Sequence, residues 1–384
     1  MRRKKLVTLI GGVCLILVLA ALPFMAACPA PAEEEECVTD ADCLEGYICV
    51  SGVCVLEEEE EELAEVITLK FNDWGPPGIG IGELHQQAAD MIEERTDGRV
   101  VVDCYFSQSL LKYPDTFVGI SEGIADIALY VVGATPGVHA LHEVFGLPFV
   151  GDIPGMMAGA QIYRDLLAQF PEFDEENTEM NVKWLSIRVM PPNQLHLVDK
   201  PITVPEDIRG MTIITGTGPI ADMLNAQGAS AVQLGPPDWY TSLERGLAEA
   251  QITHWAAVHD FQLTELFSYH THFGGGGAGM VPIGFLVNLD TWNKLSAHDQ
   301  QVLVDVYDWV NEESLIYDIE LIETAVDIAI DMGQIVTELT PEQIALWAAA
   351  AEPYVEEWIV ETEAEGWPAR EVYETLKQLI AEHQ

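Results

Sequence analysis

His254, His259, His270 and His272 fall within one short stretch of the 384-residue sequence, and His139 and His142 stand three apart. Imidazoles so spaced can converge on a metal ion, but no HExxH-like helix or tight carboxylate cluster accompanies them. No metal and no cofactor is therefore expected, a cation that assists a ligand being the alternative. Covalent catalysis needs a nucleophile with its base, and nucleotide chemistry needs a phosphate cradle; neither a GxSxG elbow nor a Walker loop occurs, so no enzymatic activity is expected. The glycines at 274–277 lack the following Lys-Ser or Lys-Thr and read as a flexible turn.

What remains is chemistry of recognition. Trp74, Trp239, Tyr240 and Trp255 form an aromatic set at loop positions next to predicted strands, suited to enclosing an apolar or aromatic molecule; ordinary core packing is the competing reading. Gln194, Thr215, Thr253 and His254 stand near strand ends as polar candidates. The backbone amides of Thr217 and Gly218 could open a helix toward an anion. Arg188, near the end of a strand, offers a guanidinium for a carboxylate, with a surface salt bridge as the alternative.

The elements that must carry these residues follow from periodicity and turn chemistry. Residues 66–71 are β-rich, Gly75-Pro76-Pro77-Gly78 breaks the strand, and Leu84, Ala88, Met91 and Ile92 recur at helical spacing up to Asp97-Gly98. A strand at 100–106 and a helix near 114–122 lead into Gly123-Ile124-Ala125-Asp126 and the apolar strand 127–132. The same device returns 123 residues later, where a helix at 240–245 runs into Gly246-Leu247-Ala248-Glu249 and the segment 250–253. This alternation predicts an α/β protein of two lobes, with mixed sheets flanked by helices. Further strands are expected at 182–189 and 211–215. The apolar segment 280–289 is a candidate for the chain's return to the first lobe. Ser296 and Thr340 are expected to cap helices, and a long helix over 300–332 to brace both lobes. The acidic residues between Asp305 and Asp331 read as its solvated face.

Arg2, Arg3, Lys4 and Lys5 precede an apolar run at 6–24, the order of an export signal. Met25-Ala26-Ala27-Cys28 then resembles a lipoprotein cleavage site, with Cys28 acylated; an uncleaved transmembrane anchor is the alternative. Residues 28–65 hold fourteen acidic residues and no Lys or Arg, so they read as an extended stalk. Between its acidic runs, Cys37, Cys43, Cys49 and Cys54 imply two disulfides, of three possible pairings, with zinc as the competing reading. Cys104 alternates with Val100 and Val102 and reads as a buried apolar thiol. The chain carries a formal net charge of −46, which disfavours nucleic acid as a partner.

Several short segments, in order, resemble the solute-binding subunits of tripartite ATP-independent periplasmic (TRAP) transporters, the DctP-like family. They are Glu94-Arg95-Thr96-Asp97-Gly98-Arg99-Val100, Leu147-Pro148-Phe149, Lys200-Pro201-Ile202, Glu206-Asp207-Ile208-Arg209-Gly210, Tyr240-Thr241-Ser242-Leu243-Glu244-Arg245-Gly246 and Trp292-Asn293-Lys294-Leu295-Ser296. The resemblance implies a two-lobed periplasmic-binding fold (type II-like) that closes on a small organic ligand, an organic acid or an aromatic or apolar compound, and docks membrane permease subunits. It places ligand contacts near Tyr240 and Trp255. The position where family members usually carry a carboxylate-binding arginine is Ile214 here, which leaves Arg188 as the substitute cation.

The expected organisation is a signal peptide at 1–27, the lipoprotein stalk with its disulfide bead at 28–65, lobe I at 66–190 and lobe II at 191–280. Residues 281–330 return to lobe I and form the connecting helix, and 331–384 are C-terminal helices. The protein is expected outside the cytoplasm, periplasmic or at the cell surface, membrane-anchored through its N-terminal lipid. A sensing or adhesion lipoprotein using the same fold without transport is the alternative function.

Overall fold

The computed structural model describes residues 37–43, 47–50, 52–56, 66–78, 80–135 and 137–384. The signal peptide, Cys28 and the two acidic runs lie outside the described residues. The chain divides into two compact units, Met1–Ala64 and Glu65–Gln384.

In the first unit, strands β1 (Tyr47–Val50) and β2 (Val53–Leu56) form an antiparallel hairpin with Cys49 opposite Cys54. The disulfides join Cys37 to Cys49 and Cys43 to Cys54. The sulfurs of Cys37, Cys43 and Cys54 lie within 4.8 Å of one another, but each is oxidised in a pair, which leaves no thiolate to hold zinc. The Asp42 carboxylate accepts the N–H groups of Val38 and Thr39 at 2.9 and 2.8 Å, which lowers its pKa.

The second unit begins with β3 (Ile67–Asn72), α1 (Ile81–Arg95), β4 (Val100–Tyr105), α2 (Thr116–Ser121), β5 (Ile127–Val131), α3 (Met156–Leu167), α4 (Glu172–Glu179) and β6 (Val182–Val189). It continues through β7 (Gln194–Leu197), β8 (Thr212–Ile214), α5 (Pro219–Ala226), β9 (Ser230–Val232), α6 (Pro236–Glu244), β10 (Ala250–Thr253), α7 (Trp255–Asp260) and β11 (Tyr269–His272). It ends with β12 (Pro282–Asn288), α8 (Leu289–Trp292), α9 (Ala297–Asp331), β13 (Ile335–Glu338), α10 (Pro341–Ala364) and α11 (Ala369–Glu382). One sheet has the order β4-β3-β5-β12-β6 and the other β13-β11-β7-β10-β8-β9. The near-continuous apolar runs of β5 and β12 fit their place in the interior, where every residue of both strands is buried.

The repeated Gly-x-Ala-acid device is the same local structure in both sheets. Gly123 and Gly246 turn the chain at φ 73° and 65°, a left-handed conformation that glycine adopts without strain. Three residues on, the acid locks onto the neighbouring parallel strand through its backbone and side chain. Asp126 N–H donates to Lys70 O at 2.9 Å while the Asp126 carboxylate accepts Lys70 N–H at 2.9 Å. Glu249 N–H likewise donates to Thr212 O at 2.9 Å, and its carboxylate accepts Thr212 N–H at 2.6 Å.

Helix α9 starts where Ser296 accepts the N–H of Asp299, and α10 starts in a capping box between Thr340 and Gln343. Along α9, Val306, Tyr307 and Val310 join the core of the first sheet, while Ala325 and Ala329 join a cluster with Leu243, Trp255 and Phe267 of the second. The helix therefore braces both lobes.

Three expectations need correction. The stretch 331–384 is not purely helical, because β13 pairs in parallel with β11 at the edge of the second sheet; a half-exposed four-residue strand carries little apolar alternation to betray it. The glycine run is not a flexible turn. A Cβ on Gly275, Gly276 or Gly277 would lie 2.2, 2.4 or 2.3 Å from the carbonyl oxygens of Ile153, Gly151 and Asn193, so these glycines permit close backbone packing. Nor are all the acids of α9 solvated, since Asp318 is buried.

Candidate functional site

A cavity of about 230 Å³ lies between the two sheets. The parallel strands β3, β5, β8 and β10 point their carboxyl ends toward it: Trp74 and Val132 follow the first pair, Thr215 and His254 the second, and all four line the wall. This is the position where open α/β sheets bind small molecules. Bonds across the cleft hold its mouth. Thr217 Oγ1 donates to Gly133 O at 2.9 Å, and Gln233 Nε2 donates to Ala134 O at 3.3 Å. The rings of Trp74 and Phe261, one from each lobe, stack with centroids 6.3 Å apart, and Tyr113 and Trp239 pack edge-on against them at 5.6 and 5.1 Å.

Of the residues expected from the sequence, Trp74, Arg188, Thr215, Thr253 and His254 line this cavity, as does Trp239. Gln194, Tyr240 and Trp255 do not. Gln194 is buried behind the wall, where its Oε1 accepts Phe273 N–H at 2.7 Å and its Nε2 donates to Gly274 O. Tyr240 lies on the outer side of α6, its hydroxyl donating to Glu265 at 2.6 Å. Trp255 is a core residue whose indole N–H donates to His272 Nε2 at 2.6 Å. Successive residues on a helix point about 100° apart; here Trp239 reaches the cavity, while the Tyr240 hydroxyl turns to Glu265 outside it. Gly218 caps α5 as expected.

Arg188 is the only Lys or Arg among the described lining residues, which include four carboxylates, Asp73, Glu143, Asp260 and Asp318. Its guanidinium donates to Asp318 at 2.8 Å and to Val189 O at 3.3 Å; both side chains are buried, so the pair is not a surface salt bridge. Asp73 is held by His85 at 2.6 Å and by the N–H of Gly75. Burial pushes Glu143 up to about 7 and raises Asp260 above the ordinary range, against the lowering effect of the Tyr317 hydroxyl, which donates to it at 2.8 Å. Burial, then the nearby Arg188 charge, holds His254 down at about 4; its Nδ1 accepts the N–H of Ala257, which leaves Nε2 to carry the proton. Two buried polar atoms of lining residues lack partners, the Trp74 indole nitrogen and Gln251 Oε1.

Sequence reasoning missed Tyr113, Gln251, Asp260, Phe261 and Asp318 as lining residues. Asp260-Phe261 closes α7, the helix that begins beside His254, and could have been read from that helix. Asp318 lies far along α9 and gave no local signal. Several other histidines are packed among other rings. His139 and His142 lie against Trp184 with centroids at 5.3 and 5.7 Å, and His196 and His270 face each other through Nδ1 atoms 2.8 Å apart.

Comparison with known proteins agrees with this geometry. The chain is 24 % identical to a solute-binding protein of Chromohalobacter salexigens over 59 % of its own length, and spans 66 %, just under two thirds, of that relative. The structure of a TRAP solute-binding protein from an unidentified marine microbe, specific for aromatic acid ligands and bound to metahydroxyphenylacetate, superposes with a TM-score of 0.73 at 24 % identity, covering 83 % of this chain and 99 % of the other. A TRAP solute-binding protein from Rhodoferax ferrireducens, with copurified benzoate, superposes with a TM-score of 0.70 at 21 % identity, covering 83 % and 98 %. No helix among the described residues is long and apolar enough to cross a membrane. The profile of bacterial extracellular solute-binding protein, family 7 (DctP), matches residues 79–362, and the chain belongs to that TRAP solute-binding family.

Proposed function

We propose that this chain captures a small organic molecule with an aromatic or apolar body between its lobes and delivers it to the permease subunits of a TRAP-type secondary transporter. The observation that carries this reading is the cavity itself, built from both lobes at the carboxyl ends of their parallel strands and walled by Trp74, Tyr113, Trp239 and Phe261. The aromatic acids held by the two similar structures support a ring-sized ligand. Trp74, Trp239, Thr215, Thr253 and His254 are the contacts we assign to it, with no catalytic role. In the same reading the protein works outside the cytoplasm, tethered by a lipid on Cys28, and 66–190 and 191–280 act as the two halves of the clamp.

A thermal-shift screen of the purified chain against organic acids, aromatic compounds, amines, sugars and zwitterions tests the proposal. A ligand at 100 times its dissociation constant adds about 2.7 kcal/mol, a shift of several degrees for a chain of this size. Failure of every class to shift the melting temperature would remove solute capture as the function.

A further inference from the structure

The charges around the cavity bear on which ligand it takes, an inference that rests on the solute-capture reading above. The one guanidinium in the wall is already engaged, with Arg188 bonded to Asp318, and Asp73 is likewise held by His85. Setting those two pairs aside leaves Glu143 and Asp260 facing the cavity with no Lys or Arg among the described lining residues to balance them. Tyr317 hydrogen-bonds Asp260, and His259 stands 3.4 Å from it. A ligand carboxylate placed here would meet like charge and would have to take Arg188 from a buried partner.

The uncharged groups point the same way. Gln251 is 1 % exposed, lines the cavity and has an Oε1 with no donor. That atom asks for an N–H. Asp260 immediately precedes Phe261, whose ring belongs to the Trp74, Tyr113 and Trp239 cluster. Aromatic faces beside a carboxylate attract cations through the ring quadrupole as well as by charge. Burial raises the pKa of both Glu143 and Asp260, in Asp260 against the lowering effect of Tyr317 and His259 beside it.

We infer that the cavity selects a ligand bearing a positively charged nitrogen group with N–H donors on an aromatic or apolar body, bound through Asp260, Gln251 and the aromatic cluster. The Trp74 indole N–H then serves an acceptor elsewhere on the same molecule.

Benzamidine, benzamide and benzoate have nearly the same shape and carry positive, neutral and negative charge, so calorimetric titration of the purified chain with each isolates the charge. Benzamidine should bind most tightly and benzoate most weakly. Asp260→Asn, with folding checked by circular dichroism, should weaken benzamidine about tenfold or more, as expected for a lost hydrogen bond to a charged group, and weaken benzamide far less. Tighter binding of benzoate, or equal binding of benzamide and benzamidine, would overturn the inference and leave solute capture standing. If none of the three binds, the inference also falls; a hit in the wider screen then preserves solute capture, and an empty screen removes both.

Discussion

Replacing Asp318 by alanine removes the carboxylate that faces Arg188 at 2.8 Å and leaves a guanidinium that is 8 % exposed. Breaking a buried ion pair on one side costs about 3–5 kcal/mol, because the remaining charge is desolvated without compensation. Two features move the expectation to the lower end: Arg188 keeps the Val189 carbonyl at 3.3 Å, and it borders a cavity that can admit water. A loss of about 3 kcal/mol, with a urea slope of about 3 kcal/mol per M, lowers the unfolding midpoint by about 1 M. The double replacement Arg188→Met with Asp318→Leu removes both charges and should recover most of the loss, since apolar packing commonly matches a buried pair. Urea titrations followed by tryptophan fluorescence at pH 7 measure both variants. A midpoint unchanged in the single variant, or a double variant as unstable as the single, would refute the claim that burial of an uncompensated charge sets the cost.

Other consequences are measured in the same way. Burial raises Glu176 to about 8 and Glu143 to about 7, so the protons these groups hold in the folded state contribute stability at acid pH that is lost as pH rises toward 8. Buried His139, His254 and His270, held at about 3, 4 and 4, act in the opposite sense and lose stability as pH falls below their ordinary range. The melting temperature should therefore peak between about pH 6 and 7, and Glu176→Gln should raise it at pH 8.5 but not at pH 4.5; an unaltered profile counts against the burial argument. Trp239→Ala should weaken whichever ligand the screen finds by about 2 kcal/mol, whereas Tyr240→Ala, outside the cavity, should leave affinity within about 0.5 kcal/mol; the reverse order in calorimetry would restore the sequence-based choice. Gly276→Ala forces a methyl against the Gly151 carbonyl and should cost about 2 kcal/mol or more by urea titration, with no cost if the run were a loose turn.

The parts of this fold that were legible in the sequence are those governed by neighbours along the chain. The Gly-x-Ala-acid turn at 123–126 and 246–249 announces a helix end, a left-handed glycine and a following strand within a few residues. The capping residues Ser296 and Thr340 act over three positions. The cavity was legible to the extent that it collects strand ends, which is why Trp74, Thr215, Thr253 and His254 could be picked out. Tyr240 and Trp255 were misplaced because an aromatic residue beside a strand end says nothing about which side of its helix faces the cleft. Arg188 was visible as a cation but its partner was not, since Asp318 lies 130 residues away on α9 and looks like every other acid there. The glycines of 274–277 show the same limit, because the carbonyls they accommodate belong to 151, 153 and 193.

The position of β12 governs the order in which this molecule can be assembled. It lies inside the first sheet, between β5 and the edge strand β6, pairing antiparallel with both, yet it is made after every strand of the second sheet except β13. A chain crossing a membrane N-terminus first presents β3, β4, β5 and β6 long before the strand that joins them arrives. During that interval β5 and β6 each display an apolar, unpaired edge, the condition that invites aggregation. The second sheet has all its strands but β13 upstream of β12, although its core is closed only by Ala325 and Ala329 of α9 and Trp347 and Ala351 of α10. The first sheet is thus the one left with open apolar strand edges until residue 288 has been made.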